Sequence, residues 1–311
     1  NLLAAVRKPA PAGTSPAPAD RGGKAPPIAA LPLGVVGSVA VRDGEIRIVV
    51  PNMDTPLDIQ GLNSDLKIDL AAQTLNLAVR GTLGAMRAPF AFNTAIADLQ
   101  AGFARMTTDS TITWSNLALD EFAPILRQSG AKLVPGGIGE GNFALQTRGP
   151  DQMHAAGAIA VRDLYLVGEL LGPDRLDLSS VSVAFDTTRD GRALKIANFA
   201  VISPLVNADA AGNLTWAEGR KLPQGELNAS WRIQVAKLAA QLPRRLKLHA
   251  DLQPVSGEFT GQIKLTSTPT ATIVSGESRL SDLAATRQGQ RLTLDEPLLV
   301  HGQASITPEG F

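Results

Sequence analysis

Apolar and polar residues alternate with a period of two along most of the chain from about residue 34 onward. The first example surrounds the dipeptide Asp43-Gly44, with Val39 and Val41 before it and Ile46, Ile48 and Val50 after it. A period of two is typical of β-strands that have one apolar face, and Asp-Gly is a preferred two-residue hairpin turn. The pattern predicts a hairpin here and a mostly β structure for the rest of the folded part.

Two short segments break this alternation. In residues 117–130, Leu119, Phe122 and Leu126 fall at helical spacing, and Gly130 stands where a C-terminal cap is expected. In residues 235–246, apolar residues again have helical spacing until Pro243. Both segments follow a strand that contains tryptophan, Trp114 or Trp231. We therefore expect two short helices in an otherwise β chain.

The N-terminal residues have a different composition. Residues 8–33 are dense in Pro, Ala and Gly and show no periodicity, so residues 1–33 are predicted to be an extended linker. The segment contains no window of about 18 consecutive apolar residues, so no membrane-spanning helix is predicted within it. The opening "NLLAAV", followed by Arg7 and Lys8, fits either the remainder of a membrane anchor or an arbitrary boundary.

Several short sequences recur in the same order. "GSVAVRD" at 37–43 returns as "GAIAVRD" at 157–163 and more weakly as "GESRLSD" at 276–282. "GNFALQT" at 141–147 matches "GQIKLTS" at 261–267, and the two helix-associated tryptophans are 117 residues apart. The spacing predicts repeats of about 120 residues at 34–156 and 157–275, with the start of a third at 276–311. The expected fold is all-β with two short helices, an elongated, curved and mostly antiparallel open sheet built of these repeats.

Composition narrows the function classes. Lys+Arg and Asp+Glu both number 29, so the formal net charge is zero and gives no attraction to nucleic acid. There is no cysteine for disulfides, thiolate metal sites or thiol catalysis. No phosphate-binding loop or nucleophile elbow occurs, and His154, His249 and His301 share no short spacing, which favours surface positions. We expect no catalytic residues, no metal and no cofactor, and therefore not an enzyme.

The segment "DEFAPILRQSGAKLVPGGIGEGNFALQTRG", followed by "GAIAVRDLYLVG", resembles the periplasmic AsmA and TamB-like proteins, which are repeating β-groove lipid-transfer proteins. The resemblance extends over about residues 34–311. It implies a periplasmic, inner-membrane-anchored protein, with its anchor outside this segment, that conducts phospholipids between the inner and outer membranes and supports outer-membrane homeostasis. The implied partners are phospholipid acyl chains and no nucleic acid.

The alternation selects the residues expected to line such a groove, which are Val39, Val41, Ile46, Ile48, Leu66, Ile68, Leu75, Leu77, Phe143, Leu145, Ile159, Val161, Val181, Val183, Phe185, Leu194, Ile196, Ile263 and Leu265. The alternative is that they form the core of a β-sandwich, which would make the chain a structural, binding or adhesin-like module without a lipid ligand. Asp43 is assigned to a hairpin turn and Asp163 to a strand end.

A basic cluster and two tryptophans each have a structural interpretation that we prefer to a functional one. The basic cluster of Arg244, Arg245 and Lys247 is interpreted as a solvated loop in preference to a phosphate contact. Trp114 and Trp231 are interpreted as packing anchors beneath the helices in preference to ligand platforms.

Overall fold

A computed structural model describes residues 36–49, 56–99, 102, 104–218, 223–249, 251–268 and 271–306. The chain divides after Leu33 into two units, and every described residue belongs to the second, residues 34–311. The predicted linker at 1–33 and Val50 lie outside the described residues.

The described residues form a single antiparallel sheet of 15 strands. Each strand pairs with the next along the chain from β1 to β14, and β15 pairs with β13 beside β14. The sheet is open, because β1 pairs only with β2 and β15 only with β13. The strands are β1 Val36–Ile48, β2 Leu57–Asp69, β3 Thr74–Leu83, β4 Ala88–Ala97, β5 Thr107–Ala118, β6 Val134–Arg148, β7 Gln152–Val167, β8 Leu176–Asp190, β9 Ala193–Ile202, β10 Val206–Thr215, β11 Gln224–Gln234, β12 Leu252–Ser267, β13 Thr272–Arg287, β14 Gln290–Thr293 and β15 Leu298–Ile306.

The expected all-β class with two short helices and an open antiparallel sheet is therefore confirmed. The two stacked sheets of a sandwich are not present in the described part of the chain, where all strands belong to one sheet.

The predicted hairpin at Asp43-Gly44 is wrong. These residues lie inside the single strand β1, and the pairing with β2 shifts between Val41 and Gly44. Asp43 has a φ of 51°, so the dipeptide forms a β-bulge. Both a bulge and a tight hairpin turn need a residue with positive φ, and Asp and Gly satisfy both needs.

The assignment of Asp163 to a strand end is also wrong. Asp163 has a φ of 50° in the middle of β7, where the register with β6 shifts. Asp282, the last residue of the third heptad, has a φ of 54° within β13 beside a register shift with β12. The aspartates that end the three recurring heptads thus occupy bulges inside long strands.

Both predicted helices are present. A 3₁₀ turn at Leu119–Phe122 leads into α1 at Ala123–Gln128, and α2 spans Val235–Gln241. Gly130 lies just beyond the C-terminus of α1, where the cap was predicted, and its φ is 81°. The amides of Gly130 and Ala131 donate to the Arg127 and Leu126 carbonyls, which closes the C-terminus in a Schellman arrangement.

Each helical segment contacts a hairpin turn at one end of the sheet. Glu121 accepts a hydrogen bond at 3.0 Å from the amide of Ala85 in the β3–β4 turn. Lys237 of α2 donates at 3.2 Å to the Pro204 carbonyl in the β9–β10 turn. The helices therefore close one end of the strands, and their main strand contacts are with β6, β11 and β12.

Candidate functional site

The register of the strands sorts the side chains into two chemically different faces. In an antiparallel sheet, directly paired residues project on the same side, so rows of pairs can be followed from strand to strand. One such row contains only one residue, Ser64, that is neither apolar nor glycine. It runs through Val41, Ser64, Val79, Phe92, Ile112, Phe143, Gly157, Phe185, Phe199, Ala210, Ala229, Ile263, Gly276 and Gly302. We call the side of the sheet that carries this row the apolar face.

The opposite side, here called the polar face, contains no apolar side chain larger than alanine in its corresponding row. That row runs through Asn63, Arg80, Ala91, Thr113, Asn142, Ala158, Ala184, Ala200, Asp209, Ser230, Gln262, Glu277 and His301. The two faces therefore differ in chemistry along the whole path of the sheet.

All of the predicted groove residues project from the apolar face. The bulges do not move any of these residues to the other face. In β9, one extra residue lies between Ile196 and Phe199 relative to both neighbouring strands, so Leu194, Ile196 and Phe199 all project on the same side. That this face holds lipid remains a prediction. The sequence prediction omitted Val79, Phe92, Ile112 and Phe199 from the same row. The alternation in "PFAF" and "TITW" contains the signal for Phe92 and Ile112, whereas the extra residue in β9 puts Phe199 out of period with Leu194 and Ile196.

Many side chains of the apolar face in the inner strands are half-buried, and others such as Phe199 and Ile263 are exposed; no second sheet packs on them among the described residues. In β10 the burial alternates at every residue, with Val206, Ala208 and Ala210 half-buried and the polar-face residues between them exposed. No large side chain in the described part is fully buried. The buried apolar residues are few, namely Leu57, Ala88, Val134, Ala155, Leu164, Leu205, Ala239, Leu242 and Ala284. The sheet thus lacks the core of a two-layer domain.

Exposure of the apolar face is greatest at its two edges. Val39 in β1 is 61% exposed and Val300 in β15 is 65% exposed, whereas Val183 in β8 is half-buried. An apolar surface that is contiguous and uncovered is a feature of binding sites in soluble proteins.

Aromatic rings on the apolar face lie over glycines of the adjacent strand. A Cβ atom on Gly141 would lie 2.5 Å from Cζ2 of Trp114, and one on Gly261 would lie 2.3 Å from Cζ2 of Trp231. Phe185 lies over Gly157 in the same way, with its Cζ 2.9 Å from where a Cβ would be. The tryptophans therefore pack on glycine partners in the sheet, which covers exposed backbone with ring carbon.

A large cavity lies on the polar face. It has a volume of about 780 Å³ and spans β9 to β15, where its lining includes Asp209, Arg232, Glu277, Arg279 and His301. Two acids and two arginines balance one another there, so the cavity has no strong charge of one sign. Arg232 pairs with Glu258 at 3.4 Å, and His301 lies 3.7 Å from Glu277.

The other two histidines also lie beside a carboxylate. His154 Nε2 is 3.0 Å from Asp186 Oδ1, and His249 pairs with Asp251, whose pKa is lowered chiefly by a hydrogen bond from Arg287. No group of three His, Asp or Glu side chains that could hold a metal ion occurs in the described ranges.

Asp120 in the 3₁₀ turn accepts hydrogen bonds from two residues of the sheet. Asp120 accepts a hydrogen bond from the Tyr165 hydroxyl, and this bond raises the pKa of Tyr165. Asp120 also accepts from the Gly137 amide at 3.3 Å. These contacts fix the 3₁₀ turn against β6 and β7.

The basic cluster follows α2 in an exposed turn. Arg244, Arg245 and Lys247 are all exposed, and the Arg245 amide donates at 2.7 Å to Asp174 Oδ2. None of the described helices is long and apolar enough to span a membrane.

Comparisons with protein-family models, with curated proteins and with solved structures find no match to this chain.

Proposed function

We propose that this chain is part of a repeating β-groove protein that holds phospholipid acyl chains on its apolar face and conducts them along the sheet, without catalysis. The observation that carries the proposal is the continuous apolar row from Val41 to Gly302, on a sheet without a second layer in the described residues. An uncovered apolar surface of this extent is favourable when an apolar ligand covers it.

The chemistry of the apolar face is better suited to acyl chains that slide than to a ligand that is held in one pose. Full burial of a methylene is worth about 0.8 kcal/mol, and an acyl chain on an open face gains less at each position. The aliphatic side chains and the rings over Gly141 and Gly261 offer similar contacts from strand to strand. Affinity would be spread over many small contacts, with no directional bond to break between positions.

The repeat remains part of the proposal, and three features support it. The bulge aspartates Asp43, Asp163 and Asp282 have φ values of 51°, 50° and 54°. Trp114 and Trp231 both cover a glycine on the strand that follows a helix. Each helical segment hydrogen-bonds to the turn between the third and fourth strands of its unit, if the units begin with β1 and β7.

We further propose that the sheet is elongated and curved. Fourteen successive strands at about 4.8 Å spacing extend about 60 Å, and sheets of this width twist and coil. By resemblance to the AsmA and TamB-like family, the site of action would be the periplasm, between the inner and outer membranes.

Photocrosslinking tests the proposal with controls on the same strands. A photoreactive residue in place of Val161 or Ile263 faces the apolar side, whereas one in place of Arg162 or Gln262 faces the polar side. We expect phospholipid adducts, identified by mass spectrometry after purification from membranes, at the first pair and not at the second.

Equal labelling at both pairs, or no lipid adduct at Val161 and Ile263 in folded protein, would contradict the proposal. The absence of any adduct would favour the alternative of a structural or binding module without a lipid ligand.

A further inference from the structure

A small cavity lies at the end of the sheet opposite to α2, at the turn between β8 and β9. Its volume is about 340 Å³, and it is lined by Arg189, Gly191, Arg192, Ala193, Leu194 and Trp216. Helix α2 adjoins the start of β10, whereas Trp216 follows the end of that strand. This cavity therefore occupies the sheet end that α2 leaves free.

The cavity is continuous with the apolar face. Arg189 pairs with Leu194, and Leu194 pairs with Leu214, so these three side chains share the apolar side. The Trp216 amide donates at 2.9 Å to the Arg192 carbonyl, which extends the same β9–β10 pairing by one more step. Arg192 lies in the β8–β9 turn and Trp216 directly follows β10, and both line the same cavity as Arg189 and Leu194.

The guanidinium groups of Arg189 and Arg192 can bind an anion with little loss of existing stabilising interactions. Arg192 Nη1 lies 3.4 Å from Glu218 Oε2, and these side chains are 55% and 88% exposed. An ion pair this exposed contributes little stability, so a better acceptor can replace Glu218. Among the described residues, Arg189 has one acceptor, the Gly191 carbonyl at 3.1 Å from its Nε.

Trp216 supplies the third element. It is 37% exposed, and tryptophan prefers positions where one side is apolar and the other is wet. Arginine binds phosphate through two parallel N–H donors. Two arginines and a tryptophan at the border of an apolar face form a boundary between an acyl-chain surface and a headgroup region.

We propose that Arg189, Arg192 and Trp216 bind the phosphate of a phospholipid whose acyl chains extend from Leu194 and Leu214 onto the apolar face. This inference rests on the proposed function, since it names the headgroup position on the same surface. The lipid is anchored at the end of the strands, so its chains lie along β9 and β10 toward α2.

The chain has three tryptophans, so the variant W114F/W231F leaves Trp216 as the only tryptophan emitter. We expect its emission to shift on titration with dihexanoyl phosphatidylglycerol, with an apparent affinity that R189Q/R192Q weakens about ten-fold or more. The matched control R232Q/R279Q, which removes two exposed arginines from the polar face, is expected to leave the titration unchanged.

Two further ligands separate the sources of the signal. Dihexanoylglycerol lacks the phosphate, and its adducts with a photoreactive residue in place of Phe185 are expected to be the same with and without R189Q/R192Q. Sodium phosphate at the same concentrations is expected to leave Trp216 emission unchanged. A phosphate response equal to that of the lipid would assign the cavity to free phosphate and overturn the headgroup proposal.

An unchanged phosphatidylglycerol titration in R189Q/R192Q would also overturn the proposal, while adducts with dihexanoylglycerol would leave the lipid-binding function intact. Absence of adducts with both lipids would instead contradict the proposed function itself. Circular dichroism checks the fold, and R189K/R192K provides a second variant that keeps the charge and loses the paired donors. We expect weakened phosphatidylglycerol binding in R189K/R192K as well, and binding equal to the wild type would count against a bidentate phosphate site.

Discussion

Replacement of Gly141 by alanine tests the ring-over-glycine packing of the apolar face. The new Cβ would lie 2.5 Å from Trp114 Cζ2 and 2.9 Å from the Ala158 carbonyl oxygen. Carbon contacts are favourable at about 3.5–4.0 Å, so the ring must move by about 1 Å. Overpacking of this kind costs about 1–3 kcal/mol. With a urea m-value of about 3 kcal/mol/M, we expect the unfolding midpoint to fall by about 0.3–1 M.

The same change at Gly261 is expected to have a similar effect, because a Cβ there would lie 2.3 Å from Trp231 Cζ2. Gly302 provides the control, since nothing lies within 4 Å of its hypothetical Cβ. We expect Gly302→Ala to be neutral or slightly stabilising, as it reduces the freedom of the unfolded chain.

A double-mutant cycle with Trp114→Ala and Gly141→Ala identifies the contact responsible. If the ring causes the strain, alanine at 141 costs less once Trp114 is removed, and the two changes are not additive. Urea unfolding followed by circular dichroism measures all four proteins. Additive effects, or a Gly141→Ala protein as stable as wild type, would refute the packing argument.

Three other predictions concern single residues. Asp163→Val should lose about 1–2 kcal/mol because a β-branched residue resists a φ of 50°, whereas Asp163→Gly should retain its stability in urea unfolding. The pKa of Asp251 is lowered, chiefly by the hydrogen bond from Arg287. The ionised Asp251 therefore stabilises the folded protein above about pH 4, and this stabilisation disappears as pH falls through the lowered pKa. The difference in Tm between wild type and Asp251→Asn should be largest near pH 7 and vanish toward pH 2. Glu121→Ala should speed amide exchange at Ala85, which loses its acceptor, and unchanged exchange would contradict that contact.

The alternation of residue types predicted most of the strands and which of their apolar residues share one side. Leu75 and Leu77 in β3, or Phe143 and Leu145 in β6, are separated by one residue, and no second layer packs on the sheet among the described residues. Because side chains alternate strictly along a strand, a period of two defines the face without knowledge of strand partners. The bulges shift the register but return the apolar residues to their face.

The bulges themselves could not be separated from turns by sequence. Asp43-Gly44 satisfies the conformation of a two-residue hairpin, and only the pairing of β1 with β2 on both sides of it shows that the strand continues. At Asp163 the following residue is leucine, so no glycine indicated positive φ. Recurrence of aspartate at one heptad position was the available signal, and its conformation depended on the neighbouring strand.

The Arg189, Arg192 and Trp216 cavity could not be predicted for a different reason. Its residues are separated by up to 27 positions and come from the end of β8, the following turn, the start of β9 and the position after β10. Residue type alone marks them as solvent-exposed charges and a single aromatic. The β8–β9 register places Arg189 beside Leu194, and only the folded end of the sheet brings Arg192 and Trp216 to the same cavity.

In the proposed function, stability and lipid binding would depend on the same surface. A sheet with no fully buried large side chain in its described part must be stabilised mainly by its strand ladders and by the half-buried apolar face. Aliphatic residues and rings over glycine keep that face apolar, while the polar face keeps the opposite side in water. A second protein layer would stabilise the sheet further but would occupy the surface that an acyl chain needs. A ligand that binds only the folded sheet stabilises it by mass action, so the open face can serve a lipid groove without a permanent core.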